Sequence, residues 1–191
     1  MFARTERLLL RPGWAEDAPA LFDGIADERV IRNLASAPWP YRLEDAVAFL
    51  ATERKPDHGN FLIFRRMPGE TRLVGSIGFG RTPDGNREFG YWIARPFWGR
   101  GYATEAGRAV IKLARDSLRL PRLHAGHFLD NPASGRVLEK LGFRPTGVIA
   151  PRFSVGRGEP ALSRLFELDF GLQEEAASHL AFENASEMVA A

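Results

Sequence analysis

The chain has 191 residues, of which 45% are hydrophobic, and its 26 basic and 24 acidic residues leave a formal net charge of +2. This length and apolar content fit one ordinary domain with a single core, and they exclude global disorder. The near balance of charges gives no electrostatic case for direct nucleic-acid binding or for a membrane-surface protein. The sequence contains no cysteine, which excludes disulfides, thiolate metal sites and a cysteine nucleophile and agrees with a cytoplasmic location.

The sequence shows no repeats, no low-complexity tracts and no linker longer than a loop. No apolar stretch approaches the roughly 18–20 residues of a membrane span, and the N-terminus lacks the apolar stretch of a signal peptide. We therefore predict a single domain over residues 1–171 with no membrane partner. Residues 172–191 are rich in alanine and glutamate, and they are either a docked C-terminal helix or a flexible tail.

The first half of the chain predicts one strand, two helices and three more strands. Glu6–Arg11 has the composition of a strand that Pro12 and Gly13 bring to an end. Apolar residues then recur every three or four positions, which predicts helices at Ala15–Ala26 and Leu43–Arg54. A hairpin turn at Pro83–Asn86 precedes the last of the three further strands, which are Asn60–Arg66, Arg72–Gly80 and Arg87–Arg95.

The second half contains the clearest helical signals. Tyr102–Leu118 has the most regular apolar periodicity in the sequence, and a strand at Leu123–Leu129 follows it. Asn131 and Pro132 are typical of an N-cap and a first helical position, and the helix they begin stops at Gly142. Two strands, Phe143–Ile149 and Leu162–Phe170, complete the sheet.

The resulting order, β-α-α-β-β-β-α-β-α-β-β, predicts a mixed α/β fold with seven strands and about four helices. Strands joined by hairpins are antiparallel, which argues against a doubly wound nucleotide-binding fold. Only the segment from Arg87 to Leu129 requires a parallel β-α-β crossover.

The segment from Trp98 to Ala106, where a strand passes into the most regular helix, carries the strongest chemical signal. Gly99 and Gly101 let the main chain approach a ligand closely, and the free N–H groups of the first helical turn form an anion site. A phosphate or pyrophosphate would suit this site, although a tight turn without a ligand explains the same spacing. The segment is not a P-loop, because no Gly-Lys-Ser/Thr follows, and it lacks the three-glycine dinucleotide pattern.

Two segments flank this loop: Glu88–Ile93 (Glu-Phe-Gly-Tyr-Trp-Ile), and Asn131–Phe143, which opens with Asn-Pro-Ala-Ser and ends with Glu-Lys-Leu-Gly-Phe. With the opening Thr5-Glu-Arg-Leu, they resemble the GNAT superfamily of acyl-CoA-dependent N-acetyltransferases over nearly the whole chain. The sequence is most similar to the branch of ribosomal-protein alanine N-terminal acetyltransferases. The resemblance implies a mostly antiparallel seven-stranded sheet with a central parallel β-α-β unit and a splay between its fourth and fifth strands. It also implies acetyl-CoA as cosubstrate and no metal.

The resemblance further implies which residues bind acetyl-CoA. The family's pyrophosphate loop falls on Trp98–Ala103, with tryptophan at a position where Gln or Arg is usual, and the main chain from Gly99 to Thr104 is implied to hold the pyrophosphate. Ile93 and Arg95 are implied to pair with the pantetheine arm as a neighbouring strand would, and Asn131 to form a hydrogen bond to it. The implied set is Ile93, Arg95, Trp98, Gly99, Arg100, Gly101, Tyr102, Ala103, Thr104, Asn131 and Ser134.

Amide formation from a thioester requires a neutral amine and, in many cases, a base. Glu88 is the first candidate base, because strand alternation places it on the same face as Gly90 and Trp92, and an ion pair with an arginine is its alternative role. His127 is the second candidate, with simple packing as the alternative, and water is the third. An α-amine, whose pKa is about 7.7–8.0, is neutral in a useful fraction at pH 7 and needs a base less than a lysine amine does.

The departing thiolate also needs a proton. Many family members place a tyrosine on the last-but-one helix for this purpose, but that position is Leu138 here, and leucine cannot donate. The ribosomal branch uses a serine instead, which matches Ser134, so the resemblance implies a catalytic role for Ser134 alongside Glu88. The alternative for Ser134 is a purely local role in the first helical turn. Without a cysteine, direct attack in a ternary complex is the simplest course.

The sequence leaves the acceptor open. We expect a primary amine, either a protein N-terminus or a small molecule such as an antibiotic or a polyamine. A non-catalytic acyl-CoA-binding sensor is the alternative from another functional class. The aromatic residues Trp14, Trp39, Tyr41 and Phe61 are candidates to line an acceptor mouth, and symmetry favours a homodimer.

Overall fold

The computed structural model describes residues 2–52, 59–67 and 70–171. The segment 172–191, for which the sequence predicts a helix or a tail, lies outside the described residues, as do His58 and His179. Within the described ranges no helix is both long enough and apolar enough to cross a membrane.

A single mixed sheet of eight strands, in the order β1-β2-β3-β4-β5-β6-β8-β7, forms the centre of the described chain. The prediction of seven strands is therefore wrong by one. The additional strand has only two residues, too few to show any alternation, and it pairs antiparallel with the next strand. The strands are β1 (Ala3–Arg4), β2 (Leu8–Arg11), β3 (Phe61–Met67), β4 (Glu70–Arg81), β5 (Arg87–Ile93), β6 (Arg122–Phe128), β7 (Arg144–Ser154) and β8 (Glu159–Asp169).

Five α-helices cover the sheet in the described residues, one more than predicted. They are α1 (Ala18–Ile25), α2 (Glu28–Ile31), α3 (Leu43–Ala51), α4 (Tyr102–Asp116) and α5 (Pro132–Lys140). The additional helix, α2, is a single turn whose first amides are capped by the Asp27 side chain, which accepts from Arg29 N at 2.8 Å. In α3 the apolar spacing predicted the helix correctly, but Ala46 is the buried residue and Leu43 and Val47 are exposed.

The helices pack on both faces of the sheet and make two apolar cores. On one face, here called the α4/α5 face, Ala106, Val110 and Ala114 of α4 are completely buried against the sheet. On the other, the α1/α3 face, Leu21 and Ile25 of α1 pack with side chains of β3 and β4. Strand alternation sends neighbouring residues of each strand to opposite faces, so the two faces can carry different chemistry.

Strands β5 and β6 are parallel and separate almost as soon as they meet. Only one pair, Glu88 with His124, is in register, whereas β4 and β5 share seven pairs. This confirms the predicted parallel crossover and the splay between these two strands. The sheet is therefore open at its centre, and a ligand can reach from one face to the other.

Candidate active site

The loop between β5 and α4 has the backbone geometry of an anion site. Gly99 and Gly101 have φ values of 75° and 78°, in the left-handed region where a side chain adds strain, and Gly101 is the N-cap of α4. A Cβ on Gly99 would meet no atom within 4 Å, so the backbone conformation, not crowding, calls for glycine there. By helix geometry the amides of Tyr102, Ala103 and Thr104 have no acceptor inside α4. Their N–H groups are available to an anion.

The N-terminal segment holds this loop in place through Glu105, in the first turn of α4. The Glu105 carboxylate accepts from Thr5 Oγ1 at 2.6 Å, from Arg7 N at 2.9 Å and from Arg7 Nε at 2.7 Å. Arg7 Nη1 also donates to Arg100 O at 3.1 Å. Burial alone would raise the pKa of Glu105, but the hydrogen bonds from Thr5 and Arg7 outweigh it and lower the pKa below its ordinary value. The opening Thr-Glu-Arg-Leu of the sequence thus supports the loop directly.

A cleft of about 1150 Å³ runs from this loop through the splay to the α1/α3 face. Most of the residues predicted to bind acetyl-CoA line it: Ile93, Trp98, Gly99, Gly101, Tyr102, Ala103, Thr104, Asn131 and Ser134. Arg95 and Arg100 do not. The Arg95 side chain lies 3.5 Å from Asp27, and the Arg100 guanidinium lies 5.6 Å from the centre of the Phe97 ring. Arg136 and Lys140 of α5 do line the cleft, whereas Arg100 does not.

Trp98 makes a contact that the sequence does not predict. Its indole Nε1 donates to the main-chain oxygen of Ile93 at 2.6 Å. Ile93 is one of the residues predicted to pair with the pantetheine arm, so the indole occupies one acceptor position of that carbonyl. Trp98 itself is about half exposed at the rim of the cleft.

The start of α5 places Asn131 and Ser134 at the edge of the splay. Asn131 is the N-cap, as predicted, and its Oδ1 accepts from Ser134 N at 3.4 Å, while Pro132 opens the helix. Ser134 Oγ accepts a hydrogen bond from the Tyr91 hydroxyl of β5 at 3.0 Å. Burial raises the pKa of Tyr91 to about 12 against the opposing effect of this hydrogen bond, so the phenol stays protonated and acts as a donor. Leu138, at the helical position where many family members have a tyrosine, is buried.

On the α1/α3 face Glu88 forms an ion pair with Arg152 of β7. Both carboxylate oxygens are engaged: Arg152 Nη2 donates to Oε2 at 2.9 Å, and Nη1 donates to Oε1. An ion pair with an arginine is the role that the sequence left open for Glu88 as an alternative to the general base. The hydrogen bonds to Glu88 raise the pKa of Arg152, against the opposing effect of burial. The Glu88 side chain remains 26% exposed and the Arg152 side chain 37%, so the pair is open to the cleft.

His127, the second candidate base, lies on the opposite face from Glu88. Its ring packs against Gly135 of α5, where a Cβ would come within 2.7 Å of Nε2, and its Nδ1 lies 2.8 Å from Phe128 O. On the Glu88 face the equivalent position of β6 is His124, the register partner of Glu88. The structure therefore separates the two candidate bases, and only Glu88 shares a face with Gly90 and Trp92.

The tip of the β7–β8 hairpin is bound to a loop that lines the cleft on the α1/α3 face. Ser154 Oγ donates to Leu34 O at 2.8 Å, and Val155 N donates to Ala35 O at 2.9 Å, and both Leu34 and Ala35 belong to the cleft lining. Arg157 and Arg32 share the carboxylate of Asp130, with shortest distances of 2.9 Å. Together these contacts tie the hairpin to the loop after α2.

The aromatic residues proposed for the acceptor mouth are only partly brought together. Tyr41 lines the cleft, but Trp14 and Trp39 lie exposed outside its lining, and Phe61 belongs to the core of the α4/α5 face. Trp92 and Phe49, which the sequence analysis did not single out for this role, line the cleft instead. In the described ranges no three His, Asp or Glu side chains come together as metal ligands.

Comparison with known proteins places this arrangement in a family. The model of the acetyltransferase (GNAT) domain matches residues 7–144. The chain is 34% identical to the uncharacterized N-acetyltransferase YoaA of Bacillus subtilis over 152 residues. The matched region covers 76% of this chain and 84% of YoaA. It is 34% identical over 85 residues to the ribosomal-protein-serine acetyltransferase of Escherichia coli, or 44% of this chain and 45% of that protein.

Solved structures agree with the sequence comparison. The acetyltransferase (GNAT family) from Bacillus anthracis superposes with a TM-score of 0.75 at 27% identity, over 88% of this chain and 98% of that one. The family match spans the loop, the splay and helices α4 and α5. The chain belongs to the GNAT family of acetyltransferases, and it is an acyltransferase.

Proposed function

We propose that the protein transfers the acetyl group of acetyl-CoA to the α-amine at the end of a polypeptide chain, by direct attack in a ternary complex. One observation carries this proposal. A single cleft joins the open helix N-terminus of α4, through the splay between β5 and β6, to Glu88 on the other face. The two ligands can therefore meet at the splay from opposite faces, where proximity supplies much of the acceleration.

The residues of the α4/α5 face fit a diphosphate ligand with a peptide-like arm. The amides of Tyr102–Thr104 and the positive end of the α4 dipole suit the diphosphate, and Arg136 and Lys140 add positive charge beside it. The Asn131 side-chain amide keeps its N–H donors for the arm, because the cap to Ser134 uses only the oxygen. When bound, acetyl-CoA supplies the activated acyl group.

Glu88 and Ser134 have complementary places in this proposal. Glu88 faces the acceptor half of the cleft, where it receives the amine and the proton that the amine loses. Ser134 stands at the splay, where its hydroxyl proton can be given to the sulfur. The Tyr91 hydroxyl donates to the Ser134 oxygen, so this bond does not use the hydroxyl proton of Ser134, which can face the sulfur. A main-chain N–H near Trp92 or Ile93 is the proposed donor to the carbonyl oxygen.

The electrostatics of the acceptor half favour an α-amine over a polycation. The carboxylates that line it each have a partner: Asp45 accepts from Arg42 N, Glu88 from Arg152, and Asp130 from Arg32 and Arg157. An acidic surface for a polyamine is therefore not found in the described lining. An α-amine also suits a site with an arginine-paired carboxylate, because it is neutral in a useful fraction near pH 7.

The reach of the cleft supports the end of a chain as the acceptor. Its lining continues past Glu88 to Leu34 and Ala35, so an extended group can lie along it. The similarity to the ribosomal-protein-serine acetyltransferase of E. coli supports the same choice. A cytoplasmic location and a homodimer are parts of the proposal that rest on the cysteine-free sequence and on symmetry, respectively.

A thiol-release assay with peptides bearing free N-termini, polyamines, amino acids and aminoglycosides tests the proposal, with calorimetry of acetyl-CoA binding beside it. We expect turnover of the peptides. Turnover of an aminoglycoside or a polyamine in preference to peptides would select the small-molecule alternative. Tight binding of acetyl-CoA without turnover of any amine would select the sensor.

A further inference from the structure

The geometry points to Arg152 as a residue that recognises the acceptor. We propose that its guanidinium binds an oxygen carried next to the reacting amine, so that α-amino carbonyl compounds are preferred over plain alkyl amines. This inference rests on the proposed function, since it names the part of the acceptor that the site recognises. It assigns to Arg152 a role beyond its ion pair.

The ion pair leaves enough hydrogen-bonding capacity for a ligand. A guanidinium has five N–H donors, and Arg152 uses one on Nη1 and one on Nη2 for Glu88, so three remain. A carboxylate accepts at about four lone-pair positions, of which Arg152 fills two. Arg152 and Glu88 can therefore stay paired and still present a donor and an acceptor side by side.

The pair is also accessible from the cleft. Arg152 and Glu88 both line it, and the next residue on that face of β5 is Gly90. A Cβ on Gly90 would meet no atom within 4 Å, so open space lies over the strand between Glu88 and Trp92. On β8 the neighbouring cleft residue is the small Ser163, whose hydroxyl is turned to His127 O. The charged pair therefore faces an open part of the cleft, in which Asn60, beside Gly78 of β4, is a further polar side chain.

An α-amino carbonyl unit matches this pair chemically. Its amine nitrogen and carbonyl oxygen are separated by two carbon atoms, so a carboxylate and a guanidinium lying side by side can contact both at once. The planar fork of arginine suits this task, whereas a lysine ammonium offers a single point charge without fixed donors. Two other arginines line the cleft on the α1/α3 face: Arg32, which is paired with Asp130, and Arg29 of α2.

The test compares two acceptors of the same size, in one of which an ethyl group replaces the carboxamide, using the full chain with saturating acetyl-CoA. L-alaninamide is paired with butan-2-amine, and rates are expressed per concentration of neutral amine to remove the difference in amine pKa. R152M leaves Glu88 without its ion-pair partner and should lower kcat/KM for both acceptors. The loss for L-alaninamide should exceed that for butan-2-amine by about 10- to 100-fold, the range expected for a hydrogen bond to a charged group. R152K should lie between wild type and R152M for L-alaninamide.

R164M provides the matched control, because Arg164 is an exposed arginine of β8 that does not line the cleft. It should leave both rates unchanged, and circular dichroism and the melting temperature confirm that each variant is folded. Alanine and an alanyl tripeptide amide, added as further acceptors, distinguish a free amino acid from a chain terminus as the source of the carbonyl oxygen.

Two results would overturn the inference and leave the proposed function standing. One is an equal loss of kcat/KM for both acceptors in folded R152M, and the other is a wild type that does not prefer L-alaninamide to butan-2-amine. If acetyl-CoA binds but no amine is acetylated, the proposed function fails and the inference falls with it. Turnover of butan-2-amine therefore distinguishes a failure of the inference, in which this amine is still acetylated, from a failure of the proposed function, in which no amine is.

Discussion

The Tyr91 hydroxyl of β5 donates to Ser134 Oγ of α5 at 3.0 Å, across the edge of the splay. These two residues come from elements on opposite sides of the opening, and burial keeps the phenol in its protonated, donating form. The bond fixes the Ser134 oxygen and leaves its own proton free to face the cleft. A tyrosine thus lies next to the serine, although it comes from β5 and not from the helical position, Leu138, where the family often has a tyrosine.

Ser134→Ala should lower kcat by about 100-fold, at the lower end of the range for general acid catalysis, and should change acetyl-CoA affinity far less. Tyr91→Phe should lower kcat by about 3- to 10-fold, because it removes one neutral hydrogen bond. Steady-state kinetics and calorimetry measure the two quantities. In the Ser134→Ala background Tyr91→Phe should have no further effect, and an undiminished effect there would assign Tyr91 a role unrelated to Ser134.

Glu88→Gln should reduce the rate by about 10²- to 10⁴-fold near neutral pH if Glu88 takes the proton from the amine. Glutamine keeps the size of the side chain and can still accept from Arg152, so the fold should survive. The pH–rate profile of the variant is the decisive measurement. A profile identical to that of the wild type, with an unchanged rate, would assign the base role to water.

Glu105→Gln should weaken acetyl-CoA binding and reduce stability in a pH-dependent way. Because the folded pKa of Glu105 is lowered, its stabilisation is fully present above the ordinary glutamate value of about 4.3 and is lost as the pH falls through the folded value. The difference in melting temperature between wild type and variant should therefore be largest near pH 6–7 and should shrink below about pH 4. Glu159→Gln, at an exposed position, is the control. A difference that is constant with pH would show that the Glu105 charge is not involved.

Acetyl-CoA should change the fluorescence of Trp98. The indole donates to Ile93 O, and an arm that pairs with Ile93 should displace it. Titration of acetyl-CoA into a Trp92→Phe background, which removes the other cleft tryptophan, should therefore give a saturable emission change that Trp98→Phe largely removes and Trp14→Phe retains. The same amplitude after Trp98→Phe in that background would show that the change does not come from the Trp98 indole.

Local signals in the sequence predicted the backbone of the loop before α4 and of the start of α5 well. The helix from Tyr102, the glycines before it and the Asn131 cap each depend on residues within a few positions, and all three are confirmed. Strand alternation likewise placed Glu88 with Gly90 and Trp92. These features follow from backbone geometry, which short segments determine.

The contacts that complete the site join distant parts of the chain and left no signal in the sequence. Glu88 and Arg152 are 64 residues apart, and strands β6 and β8 lie between β5 and β7 in the sheet, so no local pattern predicts that their side chains meet. Tyr91 and Ser134 meet only because the splay opens beside α5. The aromatic acceptor mouth was wrong in part for the same reason, since residue type alone does not say which aromatic side chains face the cleft.

The single register pair between β5 and β6 also bears on the order of events in turnover. In the proposed arrangement the two substrates enter the opening from opposite faces of the sheet, so neither blocks the other's route. Each can then bind or leave while the other stays in place, and on that basis the kinetic scheme should be random rather than compulsory. Acetylated product should leave without waiting for the spent coenzyme.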